Sequence, residues 1–296
     1  MIHGVDRRDR LSLNRRGVLG TAAALAVAGC SPVTVLNTLA PSRLVADGVA
    51  YGEGERRKLD IYAPAGVGPF PVLVFLYGGA WDSGSRAIYR FLGGAFASHG
   101  LVTVIPDYRL YPEVKFPSFL QDCAAAVRWT RDNIGRYGGA AGPFFLMGHS
   151  AGAYNAAMLG LDGEWLGQVG MARADLRGVI GVSGPYDFVP DTDALRDIFG
   201  PPDHYPQTQP INFVDGHAPP MLLLTGTADT TVKPGNTTRL ADRIREKGGF
   251  VEARYYEGID HIEIIGAVGT PLHFLAPTLR DSLAFMGRPS SMESGG

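Results

Sequence analysis

The segment Gly148-His149-Ser150-Ala151-Gly152 constrains this chain more than any other. It lies between the apolar run Phe144–Met147 and a helical pattern over 151–161. A G-x-S-x-G string alone says little. Between a strand and a helix it predicts a sharp, strained turn that lifts a Ser hydroxyl clear of a sheet edge. Glycines are needed because strand and helix pass too closely for a side chain on either, and Ala153 and Ala156 keep the helix start slim. The helix N-terminus also directs its dipole at the place where negative charge would develop.

The rest of the chain alternates strand and helix signals. Leu59–Ala63, Val72–Tyr77, Leu101–Ile105, Phe144–Met147, Val179–Val182, Met221–Thr225 and Val251–Tyr256 read as strands. Val72–Tyr77 is an unbroken β-rich apolar run, the mark of a strand buried on both faces. Helical patterns fall at about 86–98, 118–135, 151–161, 235–247 and 272–286. The alternation predicts an α/β fold with a doubly wound, mostly parallel sheet and helices on both faces. A single domain is expected over 58–288, with a small cap at about 186–216. An irregular segment is expected at 31–57 and a disordered tail at 289–296. The 40 Gly and 21 Pro fall between apolar runs and so read as turns.

Residues 1–29 read as a processing signal. Five arginines, including the pair Arg15-Arg16, precede an apolar run from Val18 to Ala28 that is too short to span a bilayer as a helix. The pair resembles a twin-arginine export signal. Val27-Ala28-Gly29-Cys30 resembles a bacterial lipobox, in which Cys30 would carry the lipid and anchor an exported protein to the cell envelope. The remaining Cys123 falls on the apolar face of a helix and reads as structural. Two Cys exclude a disulfide scaffold and a Cys-ligated zinc cluster. No metal or cofactor is expected, and chelators should have no effect. A formal net charge of -2, with 27 Lys+Arg against 29 Asp+Glu, argues against a nucleic-acid partner.

A Ser nucleophile needs a base, and the base an orienting carboxylate, in the chain order Ser, acid, His for this architecture. Asp229 follows the strand Met221–Thr225 and His261 follows Val251–Tyr256, which puts both at the sheet edge that carries Ser150. Asp187, after Val179–Val182, is the rival acid. Asp260 adjoins His261 and is badly placed to hydrogen-bond it. Asp107 precedes Ser150 in the chain and reads as a structural carboxylate pairing with Arg109. His149 is expected to point away from the nucleophile. His99, His204, His217 and His273 do not follow a strand in the required order. Tyr77-Gly78-Gly79-Ala80-Trp81 follows a strand and can turn backbone N–H groups toward Ser150. Gly79, Ala80 and Ala151 are the expected oxyanion donors. Trp81 and Tyr77 are expected in the pocket wall.

Taken together, Gly78–Trp81, Asp107–Leu110, Tyr137–Gly139, Gly148–Gly152, Pro219–Asp229 and Tyr255–His261 resemble the α/β-hydrolase esterases that carry an H-G-G-x-W loop. That group holds bacterial carboxylesterases, feruloyl-esterase-like proteins, kynurenine formamidases and isoprenylcysteine methylesterases. Tyr77 stands where the group has His, a change that the methylesterase-like members tolerate. The resemblance implies an esterase acting through Ser150, Asp229 and His261 on small or medium esters. An aryl-formamidase or amidase, or a non-catalytic binding lipoprotein on the same fold, is the alternative.

Overall fold

The computed structural model describes residues 32–41 and 43–287. Cys30, the export signal and the tail at 289–296 therefore lie outside the described residues. Eight strands form one sheet in the order β1-β2-β4-β3-β5-β6-β7-β8. They are β1 (Leu44–Ala50), β2 (Lys58–Tyr62), β3 (Val72–Leu76), β4 (Val102–Pro106), β5 (Phe144–His149), β6 (Leu176–Val182), β7 (Met221–Gly226) and β8 (Val251–Tyr256). β1 and β2 pair antiparallel, as do β2 and β4. The other pairings are parallel. β3, β4 and β5 are buried at every position, as strands covered by helices on both faces must be.

The α-helices among the described residues are α1 (Pro32–Leu39), α2 (Arg90–Ser98), α3 (Ser118–Asn133), α4 (Ala151–Leu161), α5 (Gly163–Gln168), α6 (Asp193–Phe199), α7 (Gly235–Glu246), α8 (Glu263–Gly266) and α9 (Thr278–Met286). Two differences from the sequence reading have physical causes. The stretch expected to be irregular contains α1 and β1. β1 hides its alternation because the pairing slips between Ala46 and Val49, where Gly48 takes a left-handed φ of 63°. The final helix begins at Thr278 and not at 272, because Pro277 disfavours helical backbone at the residue before it.

Chain direction across the sheet reverses at β3 and β5. The chain leaves β3 toward β4 on one side, while β5 leads to β6 on the other. A crevice therefore opens between the loops that leave these two strands, the place where open α/β sheets hold their ligands.

Candidate active site

Ser150 sits between β5 and α4 with φ 55° and ψ -123°, a conformation that costs about 1–3 kcal/mol for a residue with a side chain. The surroundings hold it there. Its N–H donates to the Val182 carbonyl at 2.9 Å. A Cβ on Gly148 would lie 2.1 Å from the Gly152 carbonyl oxygen, and one on Gly152 would lie 2.0 Å from the Leu76 carbonyl oxygen. Glycine at both positions is thus a condition for the turn.

The loops after β7 and β8 bring the other two groups to this hydroxyl. His261 Nε2 lies 2.9 Å from Ser150 Oγ, and His261 Nδ1 lies 2.8 Å from Asp229 Oδ2. Asp229 Oδ1 accepts from the N–H groups of Thr231 and Val232 at 3.0 and 2.8 Å. Burial alone would raise the Asp229 pKa. Hydrogen bonds from His261 and Val232 outweigh it and hold the carboxyl below its usual range. The two loops are laced together: the Ala228 N–H donates to the Ile259 carbonyl at 3.1 Å, and the Gly258 N–H to Thr227 Oγ1 at 2.9 Å.

The loop after β3 lies against Ser150, since a Cβ on Gly78 would be 2.8 Å from Ser150 Cβ. Ala80 and Trp81 both take left-handed φ, at 49° and 62°, and Gly79 has φ 130°. The Gly79 carbonyl accepts from the N–H groups of Asp82 and Ser83, which curls the loop. Among the described residues, the N–H groups of Gly79, Ala80 and Ala151 hold no protein acceptor. Ala80, Ala151 and Ser150 line a cavity of about 450 Å³. Its lining is partly apolar, with Trp81, Phe188, Val189 and Leu195, and partly polar, with Asp187, Lys233, Asn236 and Arg239. Phe188, Val189 and Leu195 come from the segment expected to form a cap.

Several expectations need correction. Tyr77 does not line the cavity. It is fully buried beneath the loop, stacked on Tyr108 with ring centroids 4.7 Å apart, and its hydroxyl accepts from Arg56 Nη2 at 2.9 Å. Burying the large ring against a second ring removes more apolar surface from water than a rim position would. Asp107 pairs with Arg86, and Arg109 goes instead to Asp122. His149 does not point away from the site: its ring centroid is 4.8 Å from that of His261, and its Nε2 lies 2.9 Å from the His261 carbonyl oxygen.

The rival groups are engaged elsewhere. Asp187 pairs with Arg239 at the cavity wall. Asp260 Oδ1 accepts from the N–H groups of Ile262 and Glu263, in the turn that leads into α8. His99 and His273 contact backbone carbonyls of Ala95 and Val268. Cys123 is fully buried, and burial pushes its thiol pKa well up. Arg56 went unnoticed in the sequence. It braces the loop by donating to Tyr77 Oη and to the Gly84 and Tyr108 carbonyls. An exposed-looking Arg in a polar stretch carries no local sign of that role. Among the described residues, no group of three or more His, Cys, Asp or Glu is placed to hold a metal.

The family model BD-FAE matches residues 59–244. The chain belongs to the BD-FAE family. The probable isoprenylcysteine alpha-carbonyl methylesterase ICMEL1 of Arabidopsis thaliana is 26% identical over 73% of this chain and 50% of its own length. Esterase LipC of Mycobacterium tuberculosis is 29% identical over 67% of this chain and 54% of its own. The chain thus spans about half the length of the curated relatives it matches. Among solved structures, esterase B of Lactobacillus rhamnosis superposes with a TM-score of 0.74 at 18% identity, over 93% of this chain and 96% of that one. A truncated carbohydrate esterase from gut microbiota gives 0.73 at 21% identity, over 83% and 97%. At these identities the likeness shows the fold. This BD-FAE chain has the α/β-hydrolase fold, with a mostly parallel sheet.

Proposed function

We propose that this chain is a serine carboxylic-ester hydrolase that works through an acyl-enzyme on small or medium esters. One observation carries the reading: the unbroken hydrogen-bond chain Ser150–His261–Asp229, with distances of 2.9 and 2.8 Å, whose Ser150 end lines a cavity. The esterase names of the relatives support it. In this reading Ser150 Oγ attacks the ester carbonyl carbon while His261 Nε2 takes the hydroxyl proton. Asp229 holds the imidazole in the tautomer whose Nδ1 bears hydrogen, and it offsets the positive charge that forms. The N–H groups of Ala80 and Ala151, with Gly79 beside them, receive the developing oxyanion. His261 then returns the proton to the departing alkoxide. A water activated by the same imidazole breaks the Ser150 ester and releases the acid.

The cavity of about 450 Å³ suits an ester of small or medium size. The arginine-led apolar leader and the lipobox-like Val27–Cys30 support export and lipid attachment at Cys30, which would put the substrates in the cell envelope. The deciding experiment pairs turnover of a short p-nitrophenyl ester with labelling by a fluorophosphonate. Ser150→Ala should lose both. Full ester turnover by purified Ser150→Ala would end the serine-esterase reading. An aryl formamide run in parallel separates an esterase from a formamidase.

A further inference from the structure

His149 is fully buried inside the nucleophile turn, yet the mechanism above gives it no task. Its main chain belongs to β5, paired with Val182 of β6. The loop after β8 comes to its side chain at the sheet edge, where Nε2 meets the His261 carbonyl oxygen at 2.9 Å. A carbonyl only accepts, so this contact puts the imidazole proton on Nε2 and leaves Nδ1 bare. Nδ1 is buried with no hydrogen-bond partner. It faces the oxyanion loop: a Cβ on Gly78 would lie 3.2 Å from it. One side chain therefore touches both the segment that carries the base and the turn that leads to the oxyanion donors.

We propose that His149 is a positioning residue: its Nε2–H clamps the His261 carbonyl while its ring packs under Gly78, setting the base and the oxyanion loop against Ser150. The inference rests on the reading of His261 as the base. The bonds that lace the loop after β8 to the one after β7 lie at Gly258 and Ile259, so the contact at the His261 carbonyl is the tie to β5. A shift of His261 by about 1 Å is enough to cost on the order of 100-fold in rate. The clamp also has to be neutral. His261 becomes an imidazolium during the reaction, and a second charged ring with its centroid 4.8 Å away would oppose that charge.

The test compares donors with non-donors at one position in the full chain. His149→Gln keeps an N–H at similar reach, whereas His149→Phe keeps the flat ring and loses the donor. His149→Leu loses both. Kinetics on a short p-nitrophenyl ester and fluorophosphonate labelling rates are read for each, with a thermal melt to establish folding. Phe and Leu should lower kcat and the labelling rate by about ten- to a hundred-fold with little change in KM. Gln should recover most of that loss. Wild-type kcat in a folded Phe variant, or a Gln variant as slow as Phe, would overturn the proposal. Should neither non-donor fold, the folded Gln variant decides alone: a loss below about tenfold supports the clamp, and a loss near a hundred-fold removes it. Ser150→Ala and His261→Ala run alongside keep the two readings apart. Activity in either one sinks the esterase mechanism itself, while inactivity of both with a fast Phe variant sinks only the clamp.

Discussion

At the scale of single residues, the carboxylates divide by what they touch. Asp229 faces His261 with its buried oxygen, and Asp187 faces Arg239 at the cavity wall. Asp229→Asn should therefore lower kcat by orders of magnitude, because the imidazole loses its tautomer and its orientation. Asp187→Asn should change KM more than kcat. The reverse ranking in steady-state kinetics would mean that the acid is misassigned. His261→Ala should cost about as much as Ser150→Ala, since groups acting as one unit do not add. His149 makes a separate prediction for stability. Burial first, then the nearby His261, lowers its pKa from 6.5 to about 3. Between those values the unfolded chain binds a proton at this site that the folded chain refuses. Stability should thus fall as pH drops from about 6.5 toward 3, by up to about 1.4 kcal/mol per pH unit from this group. His149→Gln should remove that share of the slope. Urea midpoints at several pH values for both proteins check it, and parallel curves would refute it.

At the scale of elements, the loop between β3 and α2 is held from below and curled from within. Arg56, Tyr77 and Tyr108 support it, and its bend depends on left-handed backbone at three consecutive residues, Gly79, Ala80 and Trp81. Gly79 is the least replaceable of them: a Cβ there would lie 2.3 Å from the Ser83 carbonyl oxygen at a φ of 130°. Gly79→Val should push the loop off Ser150 and lower kcat by about 100- to 1,000-fold, the usual cost of losing an oxyanion donor. The local strain should lower stability by about 1–3 kcal/mol and leave the domain folded. A folded Gly79→Val enzyme with near-normal kcat would place the oxyanion donors elsewhere. Residues 186–216 are tied down in a comparable way. Tyr154 of α4 donates to the Thr208 carbonyl at 2.6 Å, and Gln209 Oε1 accepts from the Phe188 N–H at 2.8 Å. Trp81 Nε1 donates to Asn155 Oδ1 at 3.0 Å, which fixes this cavity-lining ring to α4, the helix that begins beside Ser150.

At the scale of the whole molecule, Asp122 joins three distant parts. Its carboxylate is fully buried on α3 and accepts from Arg57, beside β2, and from the side chain and N–H of Arg109, beyond β4. Removing the carboxylate strands two half-buried guanidinium groups. Asp122→Ala should destabilise the protein by about 3–5 kcal/mol, far more than any exposed pair such as Lys115–Asp197 would cost. Urea unfolding checks this, and a loss under about 1 kcal/mol would make the cluster a surface feature. The chain's proposed attachment is a whole-molecule property too. Asn37 of α1 donates to the Ala87 and Ile88 carbonyls, and the Phe91 N–H donates to its Oδ1 at 2.9 Å, so the folded body starts close behind Cys30. Wild-type protein expressed in a bacterial host should partition with membranes, and Cys30→Ala should be soluble or unprocessed. Equal soluble fractions would refute lipid attachment at Cys30.

Local pattern alone reveals the strand–turn–helix at Ser150, the seven strands of the sheet's interior and far edge, and the chain order Ser150, Asp229, His261. These are written in contiguous residues: apolar runs of strand length, helical periodicity, and glycines where backbones nearly touch. Contacts across long sequence separations were decided only by the tertiary structure. Ser150 and His261 are 111 residues apart, and Asp229 and His261 are 32 apart. They meet because parallel register brings the ends of β5, β7 and β8 to one edge. The same register brings His149 to His261, buries Tyr77 under its own loop, and gives Asp107 to Arg86 and Asp122 to Arg109. β1 belongs to this second class as well, since a bulged edge strand shows its pairing only against β2. A side chain's partner depends on which strands become neighbours, and no local pattern carries that information.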